Sequence, residues 1–160
     1  MPSNLFLKIK SIPGSSQVKG METTSELLSF QYGATVSISS QASGKGETAG
    51  HPSFSDISVM KHPDKASPLL FANMTSGKRL TDDVEFFVQK MVDGSSQTFY
   101  HVKLQGVIVS SFTAAASDDV PVESITFNYQ KIIFSFADED KGKLAGPVSK
   151  GWDNVTLQAI

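Results

Sequence analysis

Val122 to Phe136, VESITFNYQKIIFSF, decides the fold class. Ile125, Phe127 and Tyr129 share one parity, the period of a strand buried on one side. The phase then slips. Ile132, Phe134 and Phe136 carry the apolar character on the opposite parity. A one-residue β-bulge near Gln130 and Lys131 would bring both sets to one core. The stretch reads as a central strand that bends around a corner of a barrel or sandwich.

Its surroundings read the same way. Leu28, Phe30, Tyr32, Ala34, Val36 and Ile38 alternate with Ser29, Gln31, Gly33, Thr35, Ser37 and Ser39, which predicts a long strand with a small polar face. Leu5, Leu7 and Ile9 predict a half-buried strand that ends at the Pro13-Gly14 turn. Val84, Phe86 and Val88 precede a polar MVDGSSQ stretch, whose Asp93-Gly94 predicts a hairpin tip. The return strand, Phe99 to about Phe112, changes parity at Gly106, a second expected bulge. Phe54 to Lys61 is a short strand of uncertain phase. Pro68 to Ser76 predicts a helix with Ser67 as cap, Pro68 in the first position and Gly77 as the left-handed stop. Leu70, Met74 and Leu69 would form its buried side, and Lys78 and Arg79 follow its negative end. About seven or eight strands, one short helix and no βα alternation predict a mainly β, two-sheet barrel or sandwich.

Composition sets limits. The chain has 160 residues, one domain by size, and roughly 70% of its extended surface would be buried on folding. It has no cysteine, which excludes disulfides, thiolate metal sites and thiol catalysis. A net charge of -2 and a pI near 5.9 argue against a nucleic-acid or anionic-membrane surface. The apolar run Leu5 to Leu7 is too short for a signal peptide, and no run approaches the ~20 apolar residues of a membrane helix. Export, if it occurs, is expected to use another route.

Candidate chemistry is thin. His51 lies in a loop, His62 beside Pro63 and His101 on a strand face with Lys103, with no ligand spacing among them. No serine sits in G-x-S-x-G, and GKGETAG lacks the P-loop spacing. Asp118-Asp119 and Asp138-Glu139-Asp140 read as solvated loop charges. No catalytic, cofactor or metal residue is expected. Ser40 to Ser53, SQASGKGETAGHPS, has nothing for a core. Loops of this length are either mobile or functional, here as a hairpin tip or as a contact arm. Trp152, in the polar stretch after Phe136, is expected to pack on the body or a neighbouring chain.

Three segments in order, ELLSFQYG (Glu26 to Gly33), DKASPLLFANMTSGK (Asp64 to Lys78) and VESITFNYQKI (Val122 to Ile132), resemble the hemolysin-coregulated protein (Hcp) family, the tube subunits of the bacterial type VI secretion system. The resemblance spans about Leu5 to Phe136, and Lys150-Gly151-Trp152-Asp153 is similar to family endings. It implies a two-sheet β-barrel with one helix, residues 1–136, and a tail, 137–160, packed on the body or a neighbouring subunit. It implies hexameric rings that stack into a tube, held in the bacterial cytoplasm before firing and then secreted. Its implied partners are spike, sheath and baseplate proteins and effectors in the lumen, with no nucleic acid, no membrane insertion and no cofactor. Ser40 to Ser53 matches the family's ring-stacking arm, which places Gly44, Lys45, Gly46, Glu47, Thr48 and His51 at that contact. Two other readings compete: a secreted β-sandwich binding or adhesion module, and a hydrolase using Asp118 and Asp119.

Overall fold

The phase slip at Gln130 is a change of sheet. The computed structural model describes residues 4–40, 47–117 and 119–160. In chain order its elements are β1 (Leu5–Ile9), β2 (Ser25–Glu26), β3 (Ser29–Gln31), β4 (Ala34–Thr35), β5 (Ile38–Ser40) and β6 (Glu47–Ala49). Next come β7 (Ser53–Phe54), β8 (Ile57–Lys61), α1 (Ser67–Ser76), β9 (Val84–Val92), β10 (Ser95–Gln105) and β11 (Ile108–Ala115). The last are β12 (Val122–Asn128), β13 (Lys131–Phe136), β14 (Glu139–Asp140), β15 (Lys143–Leu144), β16 (Val148–Asp153) and β17 (Gln158–Ala159).

The larger sheet has the order β17-β16-β13-β10-β9-β1-β2, and the smaller one β11-β12-β8-β3. Both expected bulges prove to be crossings between them. The chain leaves β12 in the smaller sheet, passes Tyr129 and Gln130, and re-enters the larger sheet as β13. It leaves β10 in the larger sheet at Gly106 and continues as β11 in the smaller one. A bulge and a crossing shift parity alike, so alternation does not tell them apart.

The two crossings lie side by side. The Gln130 N–H donates to the Gln105 carbonyl at 3.0 Å. Gly106 has φ 64°, and a Cβ there would run into the Gln130 side chain. Arg79 Nη1 donates to the Gly106 carbonyl, and the Leu80 N–H to that of Val107 at 2.7 Å. Thus Arg79 serves this corner and not the helix end.

The inner faces pack as a sandwich. Leu7, Ile9, Val84, Phe86, Val102 and Leu104 of the larger sheet meet Ile57, Val59, Ile125 and Phe127 of the smaller one, all buried. The β9–β10 hairpin turns at Asp93 (φ 52°) and Gly94 (φ 79°). Positive φ at both is the type I′ geometry that matches strand twist. After Phe136 the chain adds β16, which pairs with β13 from Lys131↔Asp153 to Phe136↔Val148, so the larger sheet includes this segment.

Helix α1 begins one residue before its expected start. Ala66 is the N-cap, and Ser67 makes no cap bond to the helix. Gly77 ends it at φ 64°, its N–H meeting the Asn73 and Met74 carbonyls. Leu70 is fully buried and Met74 packs on the core, but Leu69 is 42% exposed. The helix packs on the edge strand β11, with Phe71 edge-on to Phe112 at 5.6 Å. Helix α1 thus lies against an edge strand of the smaller sheet.

Ser67 is drawn inward instead. Lys61 on β8 is fully buried on the same parity as Ile57 and Val59, and pairs across the sheet with buried Glu123. Its Nζ lies 2.9 Å from Glu123 Oε1, 2.8 Å from Asp64 Oδ1, 2.9 Å from Ser67 Oγ and 3.2 Å from the His62 carbonyl. The Ser67 hydroxyl donates to Glu123 Oε1 at 2.7 Å and accepts the Asp64 N–H at 3.0 Å. Every proton in this cluster has an acceptor, which is what permits a buried charge.

Three stability outcomes are expected. Gly106→Ala should cost about 1–3 kcal/mol, since an L side chain is strained at this φ, read from the urea midpoint at unchanged m. Lys61→Met should cost about 3–5 kcal/mol by stranding a buried carboxylate, and Lys61→Met with Glu123→Leu should cost less than Lys61→Met alone. Asp153 Oδ1 accepts the Val155 N–H at 2.8 Å and the Thr156 N–H at 3.3 Å. The Val155 bond, helped by Thr156 and Lys131, holds its carboxyl below the usual carboxylate range. The folded pKa is the lower one, so this stabilisation is present above the unfolded carboxyl pKa and is lost as pH falls through the folded pKa. Asp153→Asn should remove that part of the acid limb in a stability–pH profile.

Candidate assembly surface

The long apolar strand expected from Leu28 onward is one half of a two-stranded arm. Three short ladders run along it: Ser29↔Met60 to Gln31↔Ser58, then Ala34↔Phe54 and Thr35↔Ser53, then Ile38↔Ala49 to Ser40↔Glu47. Each ladder steps one residue out of register with the one before. The extra residue lies on the returning strand each time, so the outgoing strand keeps its alternation. These two steps also explain why Phe54 to Lys61 has no clear phase.

The apolar face of the outgoing strand changes role along its length. Phe30 and Tyr32 are half-buried on the body, with Phe30 5.5 Å from Phe86 and Tyr32 6.4 Å from Phe134, ring to ring. Farther out, Val36 is 42% and Ile38 65% exposed. Of the expected apolar face only Phe30 and Tyr32 are half-buried; Leu28 before them is 50% exposed, and the residues beyond are exposed too. Alternation was visible in the sequence, but nothing there told that the body ends beyond Tyr32.

The expected contact residues spread along this arm. Glu47 and Thr48 pair through their backbones with Ser40 and Ser39, and His51 is exposed between β6 and β7. Gly44, Lys45 and Gly46 lie outside the described residues. His62 and His101 each have their own partner. His62 Nδ1 lies 3.1 Å from the Pro121 carbonyl, and His101 Nε2 3.2 Å from Glu85 Oε1. Among the described residues no three His, Asp or Glu side chains form a group that could hold a metal. Asp118 lies outside the described residues, and Asp119 is exposed. Glu139 pairs with Lys90 at 3.1 Å.

Ser67 and Lys61 have the spacing of a nucleophile and its base, a pairing that sequence reasoning missed. The inward parity of Lys61 with Ile57 and Val59, and of Glu123 with Ile125 and Phe127, was the available signal. The pair is closed from solvent and Lys61 is held by two carboxylates, so it serves the fold.

Where the arm leaves the body, Tyr32, Phe54, Ile132, Phe134, Lys150 and Trp152 line an open cleft of about 260 Å³. The Tyr32 hydroxyl lies 2.5 Å from that of Tyr100, and burial with this partner pushes its pKa far above the usual tyrosine value. Burial, with Asp56 nearby, pushes Tyr129 up to about 12. Both phenols are therefore neutral at any physiological pH and act as packing groups. Trp152 Nε1 is buried with no acceptor among the described residues. A second apolar cleft, of about 310 Å³, lies between Leu28, Phe30, Val88 and Phe99. Among the described residues no helix is long and apolar enough to cross a membrane.

Solved structures share this architecture. A structure described as a type six secretion system protein superposes with a TM-score of 0.91 at 24% identity, covering 99% of this chain and 100% of that one. Hcp1 from Salmonella typhimurium gives 0.81 at 20% identity, over all of both chains. The secreted protein Hcp3 from Pseudomonas aeruginosa gives 0.68 at 20% identity, over 95% and 98%. No curated protein matches this sequence. At these identities the structures establish the fold. The model of the family described as "Type VI secretion system effector, Hcp" matches residues 6–136, most of the sequence, and the chain accordingly belongs to the Hcp family.

Proposed function

We propose that the protein is a structural subunit of the type VI inner tube. Six copies close into a ring, rings stack, and the lumen carries effectors outward under a spike, within a sheath built on a baseplate. The observation that carries this reading is the family match over residues 6–136, on a chain whose arm carries exposed Val36 and Ile38 beyond its seated base. A rotation that repeats one heterologous contact and closes makes a ring. Residues 1–136 are the tube domain, and 137–160 a tail that works as part of it. Gly44, Lys45, Gly46, Glu47, Thr48 and His51 belong to the contact between rings. The subunit waits in the cytoplasm and leaves with the tube, using no cofactor and no chemistry of its own.

Native mass is the first test. A particle six times the 17.2 kDa chain is expected. A monomer at high micromolar concentration would instead support the secreted adhesion module. Deletion of Gly44 to Gly50 should leave rings in electron micrographs and shorten or abolish tubes. Normal tubes from the deletion would remove the arm tip from the stacking contact.

A further inference from the structure

We propose that Met91 is a site of reversible oxidation, where the thioether takes one oxygen from a peroxide and the Ser96 hydroxyl holds that oxygen afterwards. The site belongs to the β9–β10 hairpin and does not rest on the assembly reading above.

The chain has no cysteine, so its five methionines are its sulfur nucleophiles. A thioether is soft and polarisable, and it reacts with peroxide where solvent brings the oxidant to it. Met74 packs on the core and Met21 is half-buried. Met60, on the outward face of β8, is 43% exposed. Met91 is 68% exposed, on the outward parity of β9 with Glu85 and Phe87. Met1 lies outside the described residues. Exposure therefore puts Met91 first among the described methionines.

Met91 also has a partner that Met60 lacks. Ser96 faces it across the ladder, and the Ser96 hydroxyl donates to the Met91 sulfur at 3.3 Å. Ser29 and Ser124 lie opposite Met60, yet no hydrogen bond reaches its sulfur among the described residues.

In the forward step a sulfur lone pair attacks one oxygen of hydrogen peroxide and the O–O bond breaks. The proton on the transferred oxygen passes to the departing hydroxide, which leaves as water. Sulfur loses two electrons and peroxide gains them. A thioether sulfur is a weak acceptor, whereas a sulfoxide oxygen is a strong one. The terminal bonds of methionine rotate freely, so the new oxygen swings to the hydroxyl already beside it. Oxidation in a core disrupts packing, but here it adds a polar atom where water already reaches. A methionine sulfoxide reductase reverses the step: the oxygen leaves as water while two external thiols become a disulfide.

The folded protein is titrated with hydrogen peroxide, digested, and weighed peptide by peptide for one added oxygen. Met91 should convert several-fold faster than Met60, and Met74 should stay unconverted until urea unfolds the chain. Methionine sulfoxide reductases of both epimer specificities, with dithiothreitol, should return the Met91 peptide to its starting mass. The urea midpoint should be the same before and after oxidation of Met91, and should fall on oxidation in Ser96→Ala.

Met60 or Met74 converting first, or a Met91 sulfoxide that the reductases leave in place, overturns the site. A midpoint that responds to oxidation alike with and without the Ser96 hydroxyl overturns the role of Ser96.

Discussion

Everything in this fold depends on two crossings that share one corner. The chain passes from one sheet to the other at Gly106 and returns at Tyr129–Gln130, and the two passages touch through the Gln130 N–H and the Gln105 carbonyl. Only a residue that tolerates positive φ can make the first passage, and only a residue without a side chain leaves room for Gln130. Arg79 and Leu80 then satisfy the carbonyls that the crossing exposes. The Asn154 N–H bonds the Gln130 carbonyl at 2.8 Å, which ties the end of β16 to the same point. A corner so fully bonded fixes how the sheets lie, and with them the face from which the arm departs.

The sequence was legible wherever a local rule had one structural meaning. Asp93-Gly94 could only be a tight hairpin, and Gly77 could only stop a helix. It was not legible where two structures share one signature. A parity slip means a bulge or a change of sheet, and only tertiary pairing decides. Thr98 to Tyr100 is a true irregularity within one ladder, while Gly106 and Gln130 are crossings. Lys61 was missed for a related reason. Charge at the end of a strand reads as solvent exposure, although its parity with Ile57 and Val59 points inward. Ser67 followed Lys61 into the interior and so was unavailable as a cap.

The candidate surface was legible as a pattern and illegible as a surface. The alternation from Leu28 to Ile38 showed an apolar face but not where the covering body stops. Burial is a property of the partner as much as of the strand. Tyr32 has Phe134 to lie against, whereas Val36 and Ile38 have passed the last strand of the body. The same limit hid the cleft beside Trp152, since its walls come from β13, β16 and the two sides of the arm, four stretches that are distant in sequence.

An isolated two-stranded ribbon is marginal in water, and this one adds two register steps and an exposed apolar face. Its order in a lone chain comes from its base, where Phe30 and Tyr32 are seated. A contact that uses the outer part must therefore hold the ribbon still as well as bury it, and the ordering cost subtracts from the affinity. The lateral surfaces need no such ordering, because the larger sheet is bonded from β2 to β17 and the smaller one from β3 to β11, with the helix packed on β11. An assembly built from both kinds of surface has a firm contact made by rigid sheets and a weaker one made by arms. On the tube reading proposed above, that inequality would let rings finish before they stack and part again afterwards.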